Sequence, residues 1–227
     1  MKTVLITGAS RGIGREVARN LVLDGWRVLA GVRDPATAPA GTQAEPLDVG
    51  SAQSIEALAQ RLRERNEKLD ALVNNAGVYS GASMWEVNVL GPLRLTRALD
   101  SLLQPGARVV MVTSGMGQLS SQAPALVKRL TDAKLTLDEI QRLADEASGS
   151  YGATKATLNA MTRLFAKELA SRDILVNATS PGWARTDMGG SNAPRSVEQG
   201  AASVLWGVRL PTGGPNGGAF QDGKPIG

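Results

Sequence analysis

From Val4 onward the chain repeats one pattern: a short apolar run, a glycine or polar turn, then a segment with apolar residues at helical spacing. Short runs that stay apolar throughout suit a parallel sheet buried on both faces, and the segments between them supply the crossover helices. The pattern predicts strands over residues 4–7, 27–32, 43–47, 71–74, 108–113 and 174–179, with a seventh near 218–221. Helices are expected over 13–23, 54–65, 84–103 and 152–171. The predicted fold is therefore a single α/β domain with a doubly wound parallel sheet, whose ligands gather at the carboxyl ends of the strands. One segment breaks the rhythm: residues 115–150 separate the fifth strand from the next long helix. Its stretches 125–130 and 138–147 look helical, so an ordered insertion is expected there. The tail from Pro211, rich in Gly and Pro, is expected to be irregular.

Composition removes several chemistries. The chain of 227 residues has no Cys and no His, so disulfides, thiolate nucleophiles, His general bases and His or Cys metal sites drop out, and no metal is expected. The missing Cys also favours a reducing, cytoplasmic setting. A net charge of +4 arises from 25 basic and 21 acidic residues that are interleaved, with no basic block and only four Trp, two Tyr and two Phe. Nucleic-acid binding is not expected from that pattern. No apolar run approaches the ~20 residues that span a bilayer, and the amino-terminal run is too short for a signal peptide, so no membrane partner is expected.

Candidate chemistry begins at Thr7-Gly8-Ala9-Ser10-Arg11-Gly12-Ile13-Gly14, between the first strand and the first helix. Glycines there allow a tight turn and close approach of backbone to a pyrophosphate, and the helix start offers free N–H groups to it. This is the Rossmann-type arrangement, although a glycine triplet can also be a plain strand-to-helix turn. The second strand ends at Arg33, and Arg11 lies in the glycine loop. Arginine in those places suits the 2′-phosphate of NADP, so NADPH/NADP is expected over NAD. Asp34 is the competing feature; followed by Pro35, it can equally begin a turn. Tyr151 and Lys155 are four apart at the start of a helix and share a face. A nearby ammonium favours the phenolate and would bring a tyrosine toward the working pH range. Such a pair also occurs on ordinary solvated helix faces.

With these motifs in this order, the chain resembles the short-chain dehydrogenase/reductase family over nearly its whole length. The glycine loop matches the family's cofactor loop, Asn74-Asn75-Ala76-Gly77 its motif after the fourth strand, and Tyr151-Gly152-Ala153-Thr154-Lys155 its Tyr-x-x-x-Lys. Asn88 in Val87-Asn88-Val89 and Ser114 after Val112-Thr113 complete the catalytic tetrad, and Pro181-Gly182 followed by Trp183 and Thr186 matches the segment that holds the nicotinamide amide. Taken singly, Ser114 can be a turn former and Asn88 a helix-internal cap.

The resemblance implies hydride transfer from the nicotinamide to a small-molecule carbonyl while Tyr151 donates a proton to the oxygen. Ser114 would hydrogen-bond that oxygen, Lys155 would hold the nicotinamide ribose and depress the Tyr151 pKa, and Asn88 would keep a water chain for proton return. Asp48 and Val49 would contact the adenine, and Gly8, Ser10, Gly12, Ile13, Gly14, Asn74, Ala76 and Gly77 would line the dinucleotide. The long segment before Tyr151 and the run Pro181-Gly182-Trp183-Ala184-Arg185-Thr186-Asp187-Met188 look like the monomeric NADPH-dependent carbonyl reductases of the family, with Ala184 in place of an expected Val and a more compact length. A monomer follows if the insertion packs over the helices through which such enzymes pair. A mobile substrate lid is the alternative. A 3-oxoacyl-thioester reductase or alcohol dehydrogenase of the same family, and an NADPH-sensing regulator without turnover, are the other readings.

Overall fold

A computed structural model describes residues 1–146 and 149–226. Its centre is an eight-stranded sheet in the order β3-β2-β1-β4-β5-β6-β7-β8. The strands are β1 (Thr3–Thr7), β2 (Arg27–Val32), β3 (Gln43–Pro46), β4 (Leu69–Asn74), β5 (Leu103–Val112), β6 (Leu175–Thr179), β7 (Ala219–Gln221) and β8 (Lys224–Pro225). All neighbours pair in parallel except β7 and β8, a closing hairpin that the sequence reading did not foresee. The helices are α1 (Gly12–Leu23), α2 (Ala52–Glu64), α3 (Gly91–Ala98), α4 (Pro124–Leu130), α5 (Leu137–Glu146), α6 (Tyr151–Glu168) and α7 (Val197–Val208).

Alternation along each strand sends side chains to two separate cores. Leu5, Leu29, Leu72, Val109 and Met111 pack on one face with α2, α3 and α6; Val4, Ile6, Val28, Val73, Val110 and Val112 pack on the other with α1 and α7. The strands expected over 4–7, 27–32 and 43–47 appear as β1, β2 and β3, the last ending one residue sooner, whereas β5 begins five residues earlier than expected.

The segment expected to be one helix over 84–103 is instead a helix start at Met84, a π turn at Glu86–Leu90, then α3, a 3₁₀ turn and the beginning of β5. Pro92 has no N–H to donate to the carbonyl of Asn88 four residues back, and Gly91 lets the helix lie against the Val49 carbonyl, where a Cβ would stand 2.8 Å away. Helix α7 was missed, although Ser196 and Gln199 form a reciprocal capping box at its start.

The 115–150 segment is ordered where described: two 3₁₀ turns, then α4 and α5. Ala147, the last residue of the second helix expected there, lies outside the described residues. Leu130, Leu137, Ile140 and Leu143 are buried in the core shared with Ala156, Leu158 and Met161 of α6. The tail is held as well as turned: Asn177 donates to the Pro215 carbonyl, and Arg108 donates to Leu210.

Candidate active site

Chain order reverses between β1 and β4, which lie side by side although β2 and β3 intervene in sequence. The loops leaving β1, β4, β5 and β6 carry the glycine loop, Asn74 to Gly77, Ser114 and Pro181, so the topology brings four distant motifs to one edge of the sheet.

Gly8 and Gly12 adopt left-handed conformations, with φ of +64° and +53°. A Cβ on Gly14 would lie 2.4 Å from both Asn75 Nδ2 and the Gly8 carbonyl oxygen. The hydroxyl of Thr7 accepts from the Asn75 and Ala76 N–H groups at 2.9 Å, and Asn75 Nδ2 donates to the carbonyls of Thr7 and Gly8 at 2.9 and 3.2 Å. Asn75 therefore fastens the loop after β4 to the glycine loop, a role the sequence reading overlooked; the doubled Asn was the signal for it. Asn74, expected to line the cofactor, instead has its amide inside the fold, on Thr96 Oγ1 and Met111 Sδ. Ile13 likewise packs its side chain against Gly200 of α7, leaving backbone to face an anion.

Helices α2, α6 and α7 each begin with a serine whose side chain accepts from a first-turn N–H. Helix α1 has no side-chain cap and no acid in its first turn, so its N–H groups and positive dipole end are left for an anion. A cradle closed to any Cβ, at an uncapped helix start, fits a dinucleotide pyrophosphate.

At the end of β2 the ambiguity over Asp34 is resolved: its carboxylate accepts from Ala36 N at 3.0 Å and caps a short turn, while Arg33 is exposed and enters no ion pair among the described residues. Arg11 is paired with Asp187 at 3.0 Å, bridging the glycine loop and the segment after β6. Both side chains are over 70% exposed, at 72% and 74%, so this pair contributes at most about 1 kcal/mol and releases Arg11 easily. Asp48 accepts from Gly50 N, and Val49 is buried in the core. Asp48 is exposed, whereas Val49 can offer only its backbone.

After β6 the chain makes a tight, internally bonded excursion. Gly182 takes φ +68°, Trp183 Nε1 donates to the Gly189 carbonyl at 2.8 Å, and Thr186 Oγ1 accepts from Gly189 N at 3.1 Å. Pro181 packs on Gly200, and the Thr186 methyl lies 3.3 Å from where a Gly12 Cβ would be, so this segment borders the glycine loop. Ser10 is half-buried at the same loop.

Tyr151 and Lys155 lie in the first turns of α6, which Ser150 caps. Lys155 is 4% exposed; its Nζ donates to the Val112 carbonyl at 2.8 Å and lies 5.5 Å from the Tyr151 ring centroid. Burial pulls its pKa down from 10.5 to about 8. Burial pushes the Tyr151 phenol up to about 12, the Ser114 hydroxyl opposing the rise and Tyr79 adding to it. The net direction for Tyr151 is therefore upward, opposite to the expected depression by Lys155: desolvation of the phenol is the largest cause, and the Lys155 ammonium is engaged by a backbone carbonyl. Ser114 also accepts from Met116 N at 3.2 Å, a turn-forming bond that coexists with its place beside Tyr151.

Asn88, in the π turn, is buried, and both ends of its amide are hydrogen-bonded. Oδ1 accepts from Val78 N at 2.9 Å, and Nδ2 donates to the Val78 carbonyl at 2.8 Å and to Thr154 Oγ1 at 3.1 Å. Thr154 in turn donates to the Tyr151 carbonyl at 2.7 Å. The amide braces the loop after β4 against the Tyr-Lys helix. Gly77 sits at that brace, where a Cβ would come within 3.3 Å of Asn88 Oδ1 and 3.7 Å of Lys155 Nζ.

Comparison with known proteins agrees with this geometry. The family profile described as Enoyl-(Acyl carrier protein) reductase matches residues 8–206. The chain belongs to the short-chain dehydrogenase/reductase family. Carbonyl reductase (NADPH) 1 of Sus scrofa is 31% identical over 99% of this chain and 93% of its own length, and the Homo sapiens protein is 31% identical over 94% of this chain and 93% of its own. Among solved structures, the NADPH-bound carbonyl reductase from chicken fatty liver superposes with a TM-score of 0.78 at 25% identity, over 99% of this chain and 93% of that one. Salutaridine reductase from Papaver somniferum shares the fold with a TM-score of 0.87 at 23% identity, over 98% of this chain and 100% of that one.

Proposed function

We propose that this short-chain dehydrogenase/reductase is an NADPH-dependent carbonyl reductase acting on a ketone, aldehyde or quinone. The observation that carries it is the meeting of Tyr151, Lys155 and Ser114 beside a glycine cradle that fits a dinucleotide. The relatives named carbonyl reductase, similar over nearly the whole chain, support the same reading. When bound, NADPH supplies the hydride that reaches the carbonyl carbon. Gly8, Gly12 and Gly14 hold the backbone close to the pyrophosphate. Arg33, with Arg11 once freed from Asp187, takes the 2′-phosphate, and Pro181, Gly182, Trp183 and Thr186 border the nicotinamide. Asp48 and Val49 contribute backbone at the adenine.

Tyr151 stays protonated at neutral pH, since burial holds its pKa high, and gives that proton to the carbonyl oxygen as negative charge develops there. Ser114 donates to the same oxygen. Lys155 holds the nicotinamide ribose and supplies positive charge to the phenolate left behind, which regains its proton from water. Large hydrophobic side chains left exposed include Tyr79, Met116, Trp183 and Met188, all on segments leaving β4, β5 or β6, and such a set suits a substrate with an apolar body.

The test is NADPH oxidation against aldehydes, ketones, quinones and 3-oxoacyl thioesters. Turnover of simple carbonyls supports the reading; turnover of thioesters alone would replace it with the acyl-thioester reductase, and binding of NADPH with no turnover would replace it with a regulator. The protein is monomeric and cytoplasmic in this reading. Support for the monomer comes from α4 and α5, whose Leu130, Leu137, Ile140 and Leu143 cover an outer face of α6, leaving less apolar surface for pairing. The absence of Cys suits the cytoplasm. Sedimentation at micromolar concentration with and without NADPH checks the first point, and a stable dimer or tetramer would refute it.

A further inference from the structure

Tyr79 was assigned no role by the motif pattern, yet its ring lies against the proton donor. The Tyr79 and Tyr151 ring centroids are 5.0 Å apart at a tilt of 43°, a favourable geometry for an aromatic pair. Its backbone neighbour Val78 is gripped at both N–H and carbonyl by the Asn88 amide, so Tyr79 follows directly on a fixed point of the catalytic brace. Even in this contact Tyr79 remains 54% exposed, which leaves ring surface open beside the phenol that must meet the substrate oxygen. We propose that Tyr79 is a specificity-determining residue of this site, selecting flat, conjugated carbonyl compounds over saturated ones by offering its exposed ring surface beside Tyr151.

The inference rests on the reductase reading above and narrows it. A carbonyl oxygen within reach of Tyr151 places the atoms attached to the carbonyl carbon near the adjoining ring. A conjugated ring there is coplanar with its carbonyl and offers a π face to Tyr79. A saturated ring of the same size is puckered and offers C–H edges, so it gains less from an aromatic wall. The bland alternative is that Tyr79 only shields Tyr151 from water. Shielding acts on the proton donor and therefore affects all substrates alike, which makes the two roles separable.

Benzaldehyde and cyclohexanecarbaldehyde form the test pair, since they match in size and differ in flatness. Tyr79→Ala is expected to lower kcat/KM for benzaldehyde about two- to twelvefold, through KM, while cyclohexanecarbaldehyde changes by less than about twofold. Tyr79→Phe, which keeps the ring and loses the hydroxyl, should keep the wild-type preference. Equal losses for both aldehydes, or none for either, would overturn the proposal.

A second readout needs no turnover. The chain has two tyrosines, so labelling with 3-fluorotyrosine gives two fluorine resonances, assigned through Tyr79→Phe. With NADP⁺ bound, benzaldehyde should move both resonances and cyclohexanecarbaldehyde only that of Tyr151. A Tyr79 resonance that ignores benzaldehyde, or answers both aldehydes equally, defeats the inference. Failure of the wild type to reduce either aldehyde counts instead against the reductase reading, and the fluorine spectra still decide the role of Tyr79.

Discussion

Replacing Lys155 by Met should stabilise the fold and end catalysis, because the ammonium is carried at a cost. Lys155 is 4% exposed, and among the described residues its one hydrogen bond to protein is the 2.8 Å contact with the Val112 carbonyl. Its pKa falls from 10.5 to about 8 on burial; at about 1.4 kcal/mol for each factor of ten, a charged Lys155 costs the folded state about 3 kcal/mol. Met keeps the unbranched shape without the charge. Leaving the Val112 carbonyl without its donor returns about 1 kcal/mol, so the expected gain at pH 7 is about 2 kcal/mol, or roughly 4–8 °C in Tm for a chain of this size.

The gain must depend on pH in one direction. The folded-state pKa lies below the unfolded one, so between about 8 and 10.5 the unfolded chain binds the extra proton and the wild type gains stability as pH rises. The advantage of the Met variant should therefore shrink from pH 7 to pH 9.5. Thermal melts of both proteins without cofactor at the two pH values measure it. A variant no more stable than wild type at pH 7, or one whose advantage is the same at both pH values, would refute the reasoning.

Tyr151→Phe should reduce turnover by about 10²- to 10⁴-fold with NADPH affinity nearly unchanged, since it removes the proton donor alone; a rate within tenfold of wild type in single-turnover assays would exclude that role. Arg33→Asp should weaken NADPH binding by about 10- to 150-fold and NADH binding far less, read by nicotinamide fluorescence; equal weakening would mean that Arg33 does not read the phosphate. Gly14→Ala would set a Cβ 2.4 Å from the Gly8 carbonyl oxygen, costing about 1–3 kcal/mol of stability along with cofactor affinity. Unchanged melting and NADPH titration curves would show that the cradle is looser than described.

The sequence by itself determined the alternating architecture, the place of the glycine loop and the residues of the Tyr-Lys-Ser cluster. The first two, and the shared face of Tyr151 and Lys155, are local matters, since strands and helices differ in the period at which apolar residues recur and four residues make about one helical turn. Ser114 joined the pair through the family resemblance. Arg33 against Asp34 was open in the sequence, because both rules apply to adjacent residues. The structure shows the Asp34 carboxylate accepting from Ala36 N, which is the turn-forming reading of that residue.

What the sequence could not show were relations between residues far apart along the chain. The π turn at Asn88 depends on Pro92 and on the close approach of Val49; the bonding of the Asn88 amide depends on Val78 and Thr154. Tyr79 beside Tyr151 is a meeting of the loop after β4 with the start of α6 that no local period records. The direction of the Tyr151 pKa was likewise a tertiary matter. Spacing places an ammonium near the phenol, but only packing determines how far both are desolvated, and in this fold burial pushes the Tyr151 phenol up and the Lys155 ammonium down.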